Sequence, residues 1–448
     1  MCSRSSMRLP AAVLLFVLMA TGCAAPGGRS GTAVAEAPVD TLTSEQVRLN
    51  IESLDYLWNR IGESLWPEVL EKAGWDGARD ELLPAVEGAR TMEEARGVLR
   101  SMIDRLGLSH FAIIPGEYYA YLAAPEGEAG EAGITVRLVD GIPLVTKVEV
   151  GSPAGAVGVR PGWEVVSNGG EAAEDLLGRI ASQYEEHLLR DYIVGGVTQW
   201  QFEGGIGDTV EAVFRDGGGA EREMRIVLGP SKGAEYGLGH FQGIHVWIDT
   251  MTVGGDIGYV AFNSFMDPVR LMGVFGAAME SWMDASGVII DLRGNGGGLG
   301  AMAQGMAGWF IAERGTSLGT LRMRDTELKM LVIPRARVYG GPVAVLVDGL
   351  SVSAAEFLSG GLQQAGRARV FGTRTPGIAL PSVLEQLPNG DVLQFVIADF
   401  TTADGGHLEG AGVVPDEPIE PTRDALLQGR DPVIDAAIEW IRSRGVTR

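Results

Sequence analysis

A chain of 448 residues, 46% hydrophobic and 21% charged, is long enough for two or three cored domains and too apolar for wholesale disorder. Its 58 acidic and 36 basic residues give a net charge of −22, which argues against the clustered Lys and Arg of a nucleic-acid-binding surface. No apolar run is long enough to span a bilayer, and the 65 glycines follow no collagen-like period, so they belong to turns and tight loops.

The N-terminus reads as an address. Arg4 and Arg8 precede a short apolar run from Leu9 to Ala20, a secretory leader in layout. Its exit, Met19-Ala20-Thr21-Gly22-Cys23, resembles a bacterial lipobox with Ala20 in place of the usual leucine. On that reading residues 1–22 are a signal peptide and Cys23 is acylated. The only other cysteine, Cys2, leaves with the leader, so no disulfide forms. Cleavage also removes Arg4 and Arg8 and takes the net charge to −24, so the acyl chains alone hold the protein to the membrane. The expected location is the bacterial cell envelope, periplasmic or outer-membrane-associated. An ordinary secretory signal with an incidental cysteine is the plainer alternative.

Residues 23–42, rich in Ala, Pro, Gly and Ser, read as a tether. Residues 43–124 read as a helical domain. One helix starts at Ser44-Glu45-Gln46, with Ile51, Leu54, Leu57, Trp58, Ile61 and Leu65 at helical spacing, and a second opens at Thr91-Met92-Glu93-Glu94. The stretch Pro125–Glu131 reads as a linker. Residues 125–230 form a β-type unit with strands predicted at Ile134–Val139, Leu144–Val150, Val210–Phe214 and Glu223–Leu228. From 231 to 448 strand and helix patterns alternate, with strands at Ile257–Phe262, Val288–Leu292, Val343–Val347, Arg369–Phe371 and Val392–Ala398. That alternation predicts an α/β domain with a partly parallel sheet.

Two turns follow apolar strands. Asp291-Leu292-Arg293-Gly294-Asn295-Gly296-Gly297-Gly298 exposes backbone N–H groups suited to an oxyanion or a phosphate, although no phosphate-loop lysine follows. A tight turn needing positive φ explains the same glycines. Asp348-Gly349-Leu350-Ser351-Val352-Ser353-Ala354-Ala355-Glu356 puts a serine at a strand-to-helix turn, where it can be a nucleophile or a plain N-cap.

Together these turns resemble the C-terminal-processing (tail-specific) serine proteases: Asp-Leu-Arg-x-Asn-x-Gly-Gly, then Ser-x-Ser-Ala-Ala-Glu about fifty residues later. The phrase Gly151-Ser152-Pro153-Ala154 to Val166 resembles a PDZ core with Trp163 in place of the usual Asp, and Gly258-Tyr259-Val260 and Glu409–Asp416 extend the likeness over nearly the whole mature chain. The resemblance implies an α/β catalytic domain with a ClpP/crotonase-like core, preceded by the helical domain and a PDZ-like domain. Gly133-Ile134 is then the candidate carboxylate-binding loop, a place where extended C-terminal segments add as a strand.

Carried over by position, Ser353 is the nucleophile, and Ala354 with Gly296 or Gly297 supplies the oxyanion hole. The lysine position of the Ser-Lys branch holds Ile378, and Arg374 cannot serve as a base. The chain instead resembles the branch of the tricorn core and interphotoreceptor retinoid-binding protein, whose Leu-x-Asp-Ser-His-Thr segment aligns with Leu106-Gly107-Leu108-Ser109-His110-Phe111. That implies His110 as general base, Ser109 beside it, and Glu409 as the tetrad's acid, with Leu108 and Phe111 departing from the branch.

The expected activity is a serine endopeptidase on unfolded or C-terminally recognised polypeptides, with no cofactor and no metal, since no His-Glu-x-x-His occurs. Two rivals stand beside it. One is an α/β-hydrolase using Ser351 and His407, although Gly349-Leu350-Ser351-Val352-Ser353 is not Gly-x-Ser-x-Gly. The other is a catalytically inactive, protease-like PDZ-binding lipoprotein.

Overall fold

The computed structural model describes residues 15–17, 41–116, 129–185, 189–238 and 241–445. Cys23 and most of the expected leader and tether lie outside the described residues, as does 117–128, which includes the greater part of the expected linker Pro125–Glu131. Of residues 15–17 the backbone forms a short strand, Leu15–Val17, antiparallel to Gly297–Leu299.

Thr43 caps the first helix, Ser44–Ser64: its Oγ1 accepts from the Gln46 N–H, and the Gln46 side chain accepts from the Thr43 N–H. Thr91 caps Met92–Asp104, its Oγ1 accepting from the Glu94 N–H at 3.1 Å. Between them lie Pro67–Lys72 and Trp75–Gly88. Leu54, Leu57, Ile61, Leu99, Met102 and Ile103 bury the facing stripes of these helices and pack with Leu393 and Phe395 of a following strand. A buried ion pair, Arg96–Asp391 at 2.9 Å, ties the fourth helix to that strand's hairpin, and Asp391 also accepts from the Gly116 N–H. The strand Ala112–Ile114 pairs with Val392–Val396, so the short turn 105–111 is held at both ends.

A small β-unit follows. Its main sheet runs in the order Glu221–Val227, Thr209–Arg215, Glu164–Asn168, Ile142–Val148, Ile134–Val139. The helices Ala173–Gln183 and Arg190–Trp200 belong to the same stretch. Ala129–Glu131, read from sequence as linker, is a strand paired with Glu203–Gly205 and Gly229–Pro230; its glycine-rich composition hides a two-sided ladder.

The largest sheet takes Ile248–Val253, Ile257–Phe262, Gly287–Asp291, Val343–Val347, Arg369–Gly372 and Glu417–Pro418 in that order. All neighbours are parallel except the first pair. Alternate residues bury on opposite faces. Val288, Ile290, Val343 and Val345 pack towards Phe275, Met279, Phe357 and Leu358, whereas Ile289, Ala344, Leu346 and Phe371 pack towards Val433, Ala437 and Ile441. Coverage on both faces is why these strands read as continuous apolar runs. Their carboxyl ends carry both turns singled out from sequence.

Candidate active site

Ser353 sits between the strand Val343–Val347 and the helix Ala354–Gln364, with φ +59° and ψ −115°. A non-glycine residue there costs about 1–3 kcal/mol and persists only where its surroundings over-determine it. They do. The Ser353 N–H donates to Glu356 Oε2 at 2.9 Å, and the Val352 N–H donates to the Asn295 carbonyl at 3.0 Å. Asp348 accepts from the Gly294 and Leu350 N–H groups and, through Oδ2, from Arg137. Ser351 Oγ donates to the Leu292 carbonyl at 2.8 Å and accepts from the Asp348 N–H, so it is a strut of the turn. Ser353 Oγ is buried and has no hydrogen-bond partner among the described residues. Of the two serines, only Ser353 has a free hydroxyl.

Glu356 is fully buried and accepts four hydrogen bonds: from Ser353 N–H, Thr375 Oγ1 at 2.6 Å, Gly377 N–H at 2.8 Å and Ile378 N–H at 3.0 Å. Burial pushes its carboxyl up to about 7 despite these donors. Ile378 contributes its amide here and buries its side chain with Tyr192 and Val352. We expect Ile378→Val to leave peptide hydrolysis unchanged while lowering stability by about 1 kcal/mol, read by urea denaturation.

His110 lies in the turn before Ala112–Ile114, at φ +61° and buried. Ser109 anchors it. The Ser109 N–H donates to Glu409 Oε1 at 2.8 Å, Ser109 Oγ donates to Glu409 Oε2 at 2.9 Å, and Ser109 Oγ lies 2.8 Å from His110 Nδ1. Ser109 Oγ has one proton. Spent on the carboxylate, it leaves only lone pairs for the ring, so Nδ1 carries the imidazole proton and Nε2 is bare. Nε2 is buried and unpartnered among the described residues. Burial raises the Glu409 carboxyl and lowers the His110 imidazole to about 3.

Residues 377–379 join the two halves. The Gly377 and Ile378 amides hold Glu356, and the next amide, Ala379 N–H, donates to Glu409 Oε2 at 3.0 Å. One loop therefore fixes the carboxylate that sets Ser353 and the carboxylate that sets His110.

The expected oxyanion donors need correction. Ala354 opens its helix, where a first-turn N–H has no intrahelical acceptor. Gly296 N–H, however, donates to the Asn263 carbonyl at 3.0 Å, and Gly297 N–H donates to Asn295 Oδ1 at 2.9 Å. Both are spent on holding the turn. Gly297 C=O and Leu299 N–H bond to Phe265, so the N–H and C=O of Gly298 between them point the other way, towards its strand partner Phe16. Of this run, Gly298 is the glycine whose N–H is not spent within the turn, and it can receive a carbonyl oxygen once the strand Leu15–Val17 has left that side. Asn295, whose Nδ2 also donates to the Phe262 carbonyl, is a positioning residue that the motif contains and the sequence reading left without a role.

The other candidates take no part in the hydrogen bonds that hold Ser353 and His110. His407 is exposed and its Nδ1 is 3.2 Å from Asp399, whereas Ser351 Oγ is bonded to Leu292 and Asp348. Gly133 has φ +70°, and an added Cβ there would meet Ser152 at 2.3 Å; Ile134 begins the edge strand of the small β-unit.

Because His110 is neutral in the folded chain down to about pH 3 and ordinarily titrates at 6.5, the unfolded chain binds an extra proton between those values. Stability therefore falls as pH drops through that window, by up to about 1.4 kcal/mol per unit. We expect His110→Ala to gain about 2 kcal/mol on the native protein between about pH 6.5 and pH 4.5 in urea titrations. Glu356 is common to both proteins and cancels in the difference.

Residues 256–419 match the model of peptidase family S41. Over 428 residues the chain is 24% identical to carboxyl-terminal-processing peptidase 3, chloroplastic, of Arabidopsis thaliana, covering 92% of this chain and 76% of that protein. It is 24% identical over 279 residues to a probable CtpA-like serine protease of Staphylococcus aureus, covering 62% of this chain and half of that one. Among solved structures it is similar to a photosystem II D1 C-terminal processing protease (TM-score 0.56, 20% identity, 90% of this chain and 98% of the other). It is also similar to mature CPAF complexed with lactacystin (TM-score 0.58, 14% identity, 90% and 98%). The mixed α/β fold is thus similar to that of S41 protease structures, and the chain has C-terminal-processing serine proteases among its relatives.

Proposed function

We propose that the chain is a serine endopeptidase of family S41 acting on polypeptides through an acyl-enzyme, with Ser353 as nucleophile and His110 as base. The observation that carries this reading is the 377–379 loop, whose consecutive amides set the Glu356–Ser353 and Glu409–Ser109–His110 halves together. Substrate brings Ser353 Oγ and His110 Nε2 into hydrogen-bond reach, directly or through one water. As the Oγ–carbon bond forms, Nε2 takes the hydroxyl proton; the developing oxyanion is received by Ala354 and Gly298 N–H. The imidazolium returns that proton to the leaving amine as the C–N bond breaks, and water then releases the acyl group by the same path. Glu409 acts through Ser109, holding the tautomer that leaves Nε2 bare.

In this reading the parallel sheet is a ClpP/crotonase-like core, the small β-unit is PDZ-like, and Ser353, His110, Ser109 and Glu409 form a tetrad of the tricorn type. The leader and Cys23 then place the enzyme on a lipid anchor in the cell envelope. The full burial of Ser353 and His110 favours one second reading, a protease-like protein that binds without cleaving. Incubation with unfolded casein decides between them: fragments that vanish in Ser353→Ala support the enzyme, and intact casein with a well-folded sample supports the binder.

A further inference from the structure

Ile134–Val139 is the last strand of its sheet, so one row of its N–H and C=O groups has no strand partner. The helix Arg190–Trp200 crosses that side and lays one side chain along it. Val136 N–H donates to Gln199 Oε1 at 2.8 Å, and Gln199 Nε2 donates to the Ile134 carbonyl at 3.2 Å. One carboxamide thus satisfies an N–H and a C=O two residues apart, from one side, as a single residue of an added strand does with its own N–H and C=O. The rest of the edge opens on a cavity of about 2750 Å³ that is also lined by Arg137, Asp348 and Gly296, next to the catalytic turns. Arg137, from the same strand, reaches Asp348 at 2.8 Å and donates through Nη1 to the Val136 carbonyl at 2.9 Å, so that carbonyl of the edge is also occupied.

We propose that Gln199 is an internal plug on a strand-docking edge: an extended segment of a polypeptide substrate pairs with the Ile134 carbonyl and the Val136 N–H only by displacing the Gln199 carboxamide. The groups that Gln199 satisfies are backbone groups, so what displaces it is recognised by its backbone, and the cavity has room for several residues. This rests on the reading of the chain as a polypeptide-processing enzyme with a PDZ-like unit. Gln199 then sets peptide affinity without touching the reacting atoms.

The test uses the full chain with Ser353→Ala, which prevents cleavage, and a fluorescein-labelled, alanine-rich octapeptide with a free carboxylate, followed by anisotropy. Adding Gln199→Ala is expected to lower Kd about tenfold. Gln199→Glu, which keeps an acceptor for Val136 but faces the Ile134 carbonyl with a second acceptor, is expected to shift Kd in the same direction. Hydrogen exchange at Val136 supplies a readout that a merely structural role does not give: faster in Gln199→Ala alone, slowed again by peptide. Unchanged or weaker binding in both variants at an unaltered melting temperature overturns the proposal, as does a Val136 amide that peptide fails to protect. Casein hydrolysis by the protein with Ser353 intact reports the peptidase reading separately, so a working enzyme with no peptide effect at Gln199 condemns the plug alone.

Discussion

Ser353→Ala is expected to lower casein hydrolysis by about 10⁴-fold or more while the protein melts as before. The asymmetry follows from Ser353 Oγ having no hydrogen-bond partner among the described residues: its removal leaves no group there unpaired, and the strained turn stays held by Glu356, Asn295, Ser351 and Asp348. His110→Ala is expected to lose activity by a similar factor. The double variant should be no worse than either single one, because a nucleophile without its base and a base without its nucleophile disable the same step. Losses that multiply would mean that the two residues act separately, which the proposed proton transfer does not allow.

Glu409→Gln is expected to lower kcat about a hundredfold or more, with little change in KM. A carboxamide can donate to Ser109 Oγ. That turns the Ser109 proton towards His110 Nδ1, moves the ring proton to Nε2 and leaves Ser353 facing a donor in place of a base. Protonation of Glu409 in the native enzyme has the same consequence. Its carboxyl is raised by burial while His110 is lowered to about 3, so the histidine does not set the acid limb of kcat/KM; the part of that limb that Glu409 contributes should disappear in Glu409→Gln, leaving only the part that Glu356, raised to about 7, contributes in both proteins. A limb that persists unchanged in that variant would assign the titration elsewhere.

Much of this architecture is legible in the residues alone. Ile134–Val139, Ile257–Phe262 and Val343–Val347 have the bounds that their β-branched runs predict, since burial on the inner faces leaves few polar interruptions. The helix after Thr91 starts where its cap says it should. Other elements give weaker local signals. Trp75–Gly88 contains Pro84, and Arg190–Trp200 contains Gly195 and Gly196, residues that argue against a helix interior. Gly196 is there because a Cβ would lie 2.4 Å from the Trp200 ring, a packing demand no propensity reveals. The candidate site shows the same division. Ser353, His110 and Glu409 stand out by motif and chemistry, and the structure links them through one loop. Which glycine amide is left unspent by the turn depends on Asn263, Asn295 and Phe265 arriving from elsewhere, so the 296–298 run could be located from sequence but its donor could not be chosen.

The most direct test of an activated serine is covalent. The protein, incubated with a fluorophosphonate probe and mapped by peptide mass analysis, should carry one adduct, on Ser353, and lose it in His110→Ala. An adduct on Ser351, or a folded protein that takes none, would contradict the assignment of Ser353 and His110 as nucleophile and base.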